Sequence, residues 1–171
     1  MDSNLVNYES LRKQCNALIQ DEDESIVIFS NVASLLYMSL PNVNWLGFYF
    51  IKNEELLLGP FQGQPACSHI KLNSGVCGDA VTQQHTIRVD DVYEYPNHVF
   101  CDSNSKSEIV IPIIINNKII GVLDIDAPIK SRFNQSDEDE LNNIVEMLQE
   151  KLKSIDLSIV TDVNVLSHDH V

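Results

Sequence analysis

The chain has 171 residues, 44% of them hydrophobic, and its 25 acidic and 11 basic side chains give a formal charge of −14. This length and apolar fraction predict one globular domain with one sizeable core. The negative charge repels phosphate backbones and anionic lipid, so we expect neither nucleic acid nor a membrane as a partner.

The amino-terminal stretch MDSNLVNYESLRKQC lacks the basic residues and the apolar run of a signal peptide. Apolar runs such as IVIPIII are far shorter than the roughly 18 residues that span a bilayer. We therefore expect a cytoplasmic protein. In that reducing compartment, the cysteines are expected to be reduced, catalytic or metal-binding, and not a permanent disulfide framework.

Helical spacing of apolar residues predicts a first helix over residues 5–20. Cys15 lies on its apolar face and is expected to be a small core residue. A second helix is predicted after the acidic stretch 21–25. It ends near Ser39, because Pro41 cannot continue it.

The middle of the chain predicts strands and turns. Two antiparallel strands are predicted over residues 43–52 and 55–61. A loop-rich part follows, with short strands near residues 67–70 and 86–89. Between them, GVCGDAVTQQ predicts a short helix with Cys77 in or just before its first turn.

The carboxyl-terminal part predicts a hairpin and then a helix. Strands over residues 107–115 and 119–127 are rich in β-branched residues and flank the turn NNK. Ser136 with Asp139 has the pattern of a capping box and predicts the start of the last helix.

Helices and strands are mostly segregated along the chain, which is typical of an α+β fold. We expect a central antiparallel β-sheet flanked by the N-terminal helices and the C-terminal helix. The domain is predicted to occupy residues 1–154. Residues 155–171 alternate like a strand but have no clear partner, and are interpreted as a peripheral tail.

Three cysteines have neighbours that favour turns: Cys67, Cys77 and Cys101. All three could line one cleft. Cys77 is predicted at a helix N-terminus, where the helix dipole favours a thiolate and lowers its pKa, making it a nucleophile or a metal ligand. The alternative is that Cys77 is a buried small residue in a tight turn.

Zinc is an alternative use of these thiols, because His69, His85 and His98 lie near them in sequence. Structural zinc sites usually begin with two ligands separated by about two to four residues. The pair at 67–69 is too closely spaced, and the pair at 98–101 stands alone. We expect no metal and no other cofactor.

Two carboxylates alternate along the predicted strand GVLDID. Asp124 and Asp126 point to one face, and Leu123 and Ile125 point to the other. In a half-buried position, their mutual repulsion raises at least one pKa unless a cation is bound. The alternative is an ordinary edge that faces solvent.

Glu108 begins the partner strand, so the hairpin register decides whether it joins the aspartates. A three-residue loop at 116–118 brings Glu108 opposite Asp126, whereas a two-residue loop turns it away. Pro112 removes one ladder donor and could mark a bulge that resets the register. We predict the register that gathers three acids.

Trp45 and Tyr49 are four residues apart in a predicted strand and share a face, while Asn44, Leu46 and Phe48 take the other. Such an aromatic pair belongs either to a core or to a ligand cage. Beside the carboxylates, it would make a pocket for a small cation with an apolar end, such as an amino acid.

Four motifs carry a family resemblance: GPFQGQPAC at 59–67, GVCG at 75–78, CDSNSKSEIVIPI at 101–113 and GVLDID at 121–126. Together they resemble the free methionine-R-sulfoxide reductases with a GAF fold. A strand similar to GVLDID is common among GAF domains. Three loop cysteines combined with SEIV and DID are a far more specific pattern.

The resemblance implies a homodimer that reduces the R epimer of free methionine sulfoxide, with thioredoxin returning the electrons. It implies that Cys101 attacks the sulfoxide and that Cys67 or Cys77 resolves the product by forming a disulfide. It also assigns the substrate pocket to five residues, which are Trp45, Tyr49, Glu108, Asp124 and Asp126.

This chemistry needs a proton for the departing sulfoxide oxygen. We expect Glu108 or Asp126, with a raised pKa, to supply it, while the other acids hold the substrate ammonium and the aromatic pair encloses the methyl group. A sulfenic acid at Cys101 then becomes a disulfide, which requires Cα atoms within about 7 Å of each other and loops that fold together.

Two other functions remain open at this point. A GAF fold also hosts non-catalytic sensors that bind a small metabolite or a cyclic nucleotide, although an acidic pocket disfavours a phosphate. A redox switch, in which Cys77 and Cys101 only report oxidant, would form a disulfide without turning over sulfoxide.

Overall fold

The computed structural model describes residues 3–166. Its helices are α1 (Tyr8–Ile19), α2 (Ser25–Ser39), α3 (Gly75–Gln83) and α4 (Gln135–Leu152). Its strands are β1 (Trp45–Lys52), β2 (Glu55–Gly63), β3 (His69–Lys71), β4 (Ile87–Val89), β5 (Ser107–Ile115) and β6 (Lys118–Ala127), and one 3₁₀ turn lies at Val92–Glu94. These elements confirm the order predicted from the sequence.

The six strands form one antiparallel sheet in the order β3-β2-β1-β6-β5-β4. Helices α1, α2 and α4 pack on one face of the sheet, and α3 packs on the other. The predicted α+β architecture is therefore confirmed. Within residues 3–166, no helix has the length and apolar character that crossing a bilayer requires.

Alternation along the central strands divides the interior into two apolar layers. In β1, Leu46 and Phe48 pack against the helices, whereas Trp45 and Tyr49 face α3. The same alternation in β5 and β6 directs isoleucines and leucines toward the helices. The acidic residues of these two strands therefore lie on the face of the sheet that α3 covers.

The turn between β5 and β6 differs from the predicted three-residue loop. Ile115 pairs with Lys118, so the turn has two residues, Asn116 and Asn117, both with the positive φ that a type I′ hairpin turn requires. A bulge then shifts the register by one residue, because Ile113 pairs with Gly121. Beyond this bulge, the pairing that we predicted at the far end of the strands is restored.

The start of α4 also differs from the prediction. Asn134 caps the helix, its side chain accepting from the backbone N–H of Asp137 while the Asp137 carboxylate accepts from the N–H of Asn134. Ser136 and Asp139 lie inside the helix. Asp137 is the acidic partner in this capping box. It is buried and also accepts hydrogen bonds from Arg132 and Tyr8, which fix its position.

The segment after α4 contains no strand within the described residues, yet it packs closely against the domain. Ile155, Leu157 and Val160 are buried in the helix-side layer. The Thr161 hydroxyl donates to the Ile51 carbonyl at 2.5 Å. Residues 155–166 thus cover the end of the sheet that carries the hairpin turns, and residues 167–171 lie outside the described part.

Candidate active site

A disulfide joins two of the three loop cysteines. Cys67 follows β2, Cys101 precedes β5, and their sulfurs are bonded with the Cα atoms 5.3 Å apart across a separation of 34 residues. Both residues are half-buried. The loops therefore approach as closely as a disulfide requires, and Cys67 is the partner of Cys101 in this structure.

Cys77 is a free thiol in the first turn of α3, buried against the sheet. The predicted lowering of its pKa is wrong. Burial raises the pKa well above its usual range, and the neighbouring carboxylate of Asp124 raises it further. The helix dipole favours a thiolate, but desolvation and nearby negative charge outweigh it at this position.

Three carboxyl groups meet on the α3 face of the sheet. Glu108 on β5 pairs directly with Asp126 on β6, and Asp124 lies two residues earlier on the same face of β6. Glu108 and Asp124 are each only 6% exposed. The three acids therefore lie together, as predicted. The register that joins them comes from a two-residue turn followed by a bulge, and not from the predicted three-residue loop.

Crowding and burial raise the pKa values of all three acids. Burial first, and the charge of Asp126 second, raise the pKa of Glu108 to about 8. Burial and the neighbouring acids raise the pKa values of Asp124 and Asp126 well above their usual range. Glu108 therefore holds a proton near neutral pH and is suited to donating it, and a cation bound at the cluster would favour ionisation of the other acids.

Aromatic side chains form one wall of the site. The rings of Trp45 and Tyr49 stack with centroids 5.8 Å apart, and Phe61 also stacks with Trp45, at 5.4 Å. Trp45 Nε1 donates to the Gln64 carbonyl, and the Tyr49 hydroxyl donates to the Cys67 carbonyl. The pair thus belongs to the core and also anchors the loop that carries Cys67.

Gly47 makes this packing possible. A Cβ atom there would lie 2.3 Å from Phe61 Cβ and 2.7 Å from the Trp45 ring. Any larger residue would push one of these aromatic rings out of position. The glycine between Trp45 and Tyr49 is therefore part of the aromatic wall.

The loop that carries Cys101 brings a histidine into the acid cluster. His98 Nε2 lies 3.5 Å from Glu108 Oε2, and the His98 side chain is only 7% exposed. Its Nδ1 atom is buried without a hydrogen-bond partner. The position of His98, three residues before Cys101, suggests at most a zinc ligand, because nothing in the local sequence indicates that His98 meets Glu108.

Two asparagines hold this loop in place. Asn97 donates to the Asn73 carbonyl and to Asp79 Oδ1, which ties the loop to α3. Asn44 donates to Asp102 Oδ2 and Ser105 Oγ, just after the disulfide. Strand alternation predicts Asn44 on the face opposite Trp45. Asn44 instead precedes β1, and no local pattern indicates its contact with Asp102 and Ser105.

A small cavity lies between the acids, the aromatic wall and the disulfide. Its volume is about 40 Å³. Seven of the eight predicted site residues line it: Trp45, Tyr49, Cys77, Cys101, Glu108, Asp124 and Asp126. Cys67 is the exception, and it reaches the site through its bond to Cys101.

The cluster also contains a set of potential metal ligands. The ligand atoms of Cys77, Glu108 and Asp124 lie within 4.8 Å of one another, close enough to contact one cation. This set differs from the cysteine–histidine pairs considered in the sequence. His69 and His85 are exposed and do not line the cavity.

Residues 27–148 match the GAF domain family model. The chain is 42% identical over 149 residues to the free methionine-R-sulfoxide reductase of Escherichia coli, covering 87% of this chain and 90% of that protein. The chain belongs to the free methionine-R-sulfoxide reductases of the GAF-domain family.

Solved structures agree with this membership. The reduced form of the fRMsr of Staphylococcus aureus is 51% identical, with a TM-score of 0.85 over 87% of this chain and 97% of that one. The free methionine-R-sulfoxide reductase of Neisseria meningitidis, solved in complex with its substrate, is 34% identical, with a TM-score of 0.83. The match covers 86% of this chain and 89% of that one. The reductase described here shares the overall fold of both structures.

Proposed function

We propose that this reductase converts free L-methionine-(R)-sulfoxide to methionine with Cys101 as the attacking thiol. The observation that carries the proposal is the disulfide of Cys101 with Cys67 beside a cluster of three buried acids and an aromatic wall. A sensor for an anionic nucleotide would not gather three carboxylates in its pocket.

In the first half of the cycle, the Cys101 sulfur attacks the substrate sulfur. The substrate sulfur gains two electrons and becomes the thioether of methionine, while Cys101 is oxidised and retains the oxygen as a sulfenic acid. The oxygen needs a proton as its bond to the substrate sulfur breaks. Glu108 or Asp126 supplies it, because each faces the cavity and has a raised pKa, which for Glu108 is about 8.

In the second half, the Cys67 thiol attacks the sulfenic sulfur and water leaves. The Cys67–Cys101 disulfide is the product of this step. Its presence supports Cys67, rather than Cys77, as the residue that resolves the sulfenic acid directly. Cys77 lies buried beside Asp124, and its raised pKa disfavours the thiolate that such an attack needs.

Substrate selection follows from the charge and shape of the cavity. The substrate ammonium group lies beside the acid cluster and, as a cation, favours ionisation of the acids that do not donate the proton, while Trp45 and Tyr49 contact its terminal methyl. A peptide-bound methionine sulfoxide has no free ammonium. Its flanking chain would also meet the loop of residues 97–101, which is tied to α3.

Three further proposals concern the surroundings of the reaction. Thioredoxin is proposed as the reductant, as the family resemblance implies, because its two thiols can reduce both cysteines through one mixed disulfide. The cytoplasm is the proposed compartment, since a reducing pool sustains this cycle. The proposed assembly is a homodimer, as the family resemblance implies, and light scattering on the purified protein measures it.

The decisive assay supplies the purified protein with L-methionine-(R)-sulfoxide and dithiothreitol and measures methionine by amino-acid analysis. Turnover is expected for the free R epimer and not for its N-acetyl derivative, whose nitrogen carries no charge. The Cys101→Ser variant is the matched control. If the folded protein releases no methionine, the proposed reaction is wrong.

A further inference from the structure

Two aromatic side chains stand apart from the others in this protein. Among residues 3–166, Tyr93 and Phe100 are the exposed aromatic residues, at 60% and 56% of their surfaces. They come from different segments, the 3₁₀ turn and the Cys101 loop, yet their ring centroids lie 5.5 Å apart. Val99, 38% exposed, precedes Phe100 in the loop.

This aromatic patch, defined as Tyr93, Val99 and Phe100, directly borders the disulfide. Phe100 is adjacent in sequence to Cys101. Its ring also contacts the edge of His98 at 4.3 Å between centroids, and His98 reaches Glu108. The patch thus lies on the loop that closes the cavity: the rings of Tyr93 and Phe100 are exposed, and Val99 also lines the cavity.

Exposed aromatic residues that contact each other are uncommon on a free surface and are enriched at the centres of protein interfaces. The other aromatic residues of the described chain are buried or half-buried. The position of Tyr93 and Phe100 therefore points to a contact with another molecule.

We propose that this aromatic patch is the surface on which a protein dithiol docks to reduce the Cys67–Cys101 disulfide. The proposal rests on the proposed function, which makes this disulfide the oxidised end of the catalytic cycle. A protein thiolate must come within bonding distance of one of the two sulfurs, so the protein that carries it necessarily covers the residues next to them. A small dithiol does not need that contact.

The exchange balances in two steps. The attacking thiolate of the reductant forms a mixed disulfide with one cysteine of this reductase and releases the other as a thiolate. The second thiol of the reductant, after losing its proton, then attacks the mixed disulfide. The reductant leaves as a disulfide, having lost two electrons, and Cys67 and Cys101 are both reduced.

The test compares two reductants on the same oxidised protein. Reduction of the preformed Cys67–Cys101 disulfide is followed by mass spectrometry after acid quenching, with either Escherichia coli thioredoxin or dithiothreitol as the probe. Tyr93→Ala and Phe100→Ala are expected to slow reduction by thioredoxin by about fivefold to thirtyfold each. Reduction by dithiothreitol is expected to stay within about twofold.

Met38→Ala is the matched control, because Met38 is 78% exposed on α2, on the other face of the sheet. It should leave both rates unchanged. Tyr93→Phe should retain most of the thioredoxin rate, because it keeps the ring. Tyr93 lies outside the Cys101 loop, so its variants separate docking from any disturbance of the loop.

Three results would overturn the proposal. Equal slowing with both reductants would mean that the aromatic residues shape the disulfide loop itself. Unchanged rates with thioredoxin would remove the patch from the exchange. Loss of a dimer in light scattering, with unchanged thioredoxin rates, would assign the patch to contact between copies. Failure of the proposed function is distinct, because it would appear as absent sulfoxide turnover with dithiothreitol.

Discussion

Glu108 lies directly opposite Asp126 in the antiparallel ladder of β5 and β6, and both side chains face the cavity beside the disulfide. Burial, and then the charge of Asp126, raise the pKa of Glu108 to about 8, so Glu108 holds a proton at neutral pH that it would release in water. The pairing therefore connects the register of one hairpin to the protonation of the site.

Stability should depend on pH through Glu108. Its pKa is about 8 in the folded protein against 4.5 ordinarily, so between these values the folded state holds a proton that the unfolded state has released. The free energy of unfolding should therefore fall as pH rises from about 5 to 8, by at most about 1.4 kcal/mol per pH unit for this one group.

Urea unfolding of the oxidised protein across this pH range measures the effect. Glu108→Gln should reduce the slope, because the amide does not titrate. Glu146→Gln, on the exposed face of α4, is the control and should leave the slope as it is. A slope unchanged in Glu108→Gln would contradict the raised pKa.

Replacing each cysteine of the disulfide should affect the release of methionine in a different way. Without reductant, Cys67→Ser should still release about one methionine per protein, because Cys101 can attack once. Cys101→Ser should release none. Rapid-quench measurement of methionine distinguishes the two, and Cys15→Ala, in the core on α1, should behave as the unmodified protein. A burst from Cys101→Ser would exclude Cys101 as the attacking group.

Cys77 should resist alkylation in the folded protein. It is only 4% exposed, and burial raises its pKa, so little thiolate is available to react. Iodoacetamide at pH 7.5 should modify neither Cys77 nor Cys15 in the oxidised protein, and should modify both after unfolding in urea. Peptide mass spectrometry locates the label, and rapid native labelling of Cys77 would contradict the burial.

Oxidised protein should bind substrate poorly. The cavity of about 40 Å³ has room for about three water molecules, and His98 occupies the approach to Glu108. In isothermal titration, L-methionine-(R)-sulfoxide should bind Cys101→Ser, which cannot form the disulfide, at least about tenfold more tightly than the disulfide-linked protein. Equal affinities would mean that the oxidised loop does not close the cavity.

The carboxyl-terminal segment should contribute to stability. Leu157 is 4% exposed in the helix-side layer, whereas Ile159, two residues on, is 65% exposed. Leu157→Ala should lower the free energy of unfolding by about 2–4 kcal/mol, and Ile159→Ala by less than about 0.5 kcal/mol. Urea unfolding measures both. Similar small effects would support a domain that ends at residue 154.

Local sequence patterns determine which residues share a face of a strand or helix in this protein. Alternation in GVLDID places Asp124 and Asp126 on one face in any strand, and helical spacing buries Cys15 in α1. These features depend on neighbours in sequence, since the periods of a strand and a helix are fixed by backbone geometry. The element order, and with it the α+β class, follows from the same periodicities.

Tertiary structure alone decided how distant segments meet. The choice of Cys67 as the partner of Cys101, the contact of His98 with Glu108, and the patch joining Tyr93 to Phe100 each connect segments that no local period relates. Cys77 illustrates the reason most clearly. Its helix position favours a thiolate, but its pKa is set by desolvation and by the carboxylate of Asp124, which lies 47 residues away along the chain.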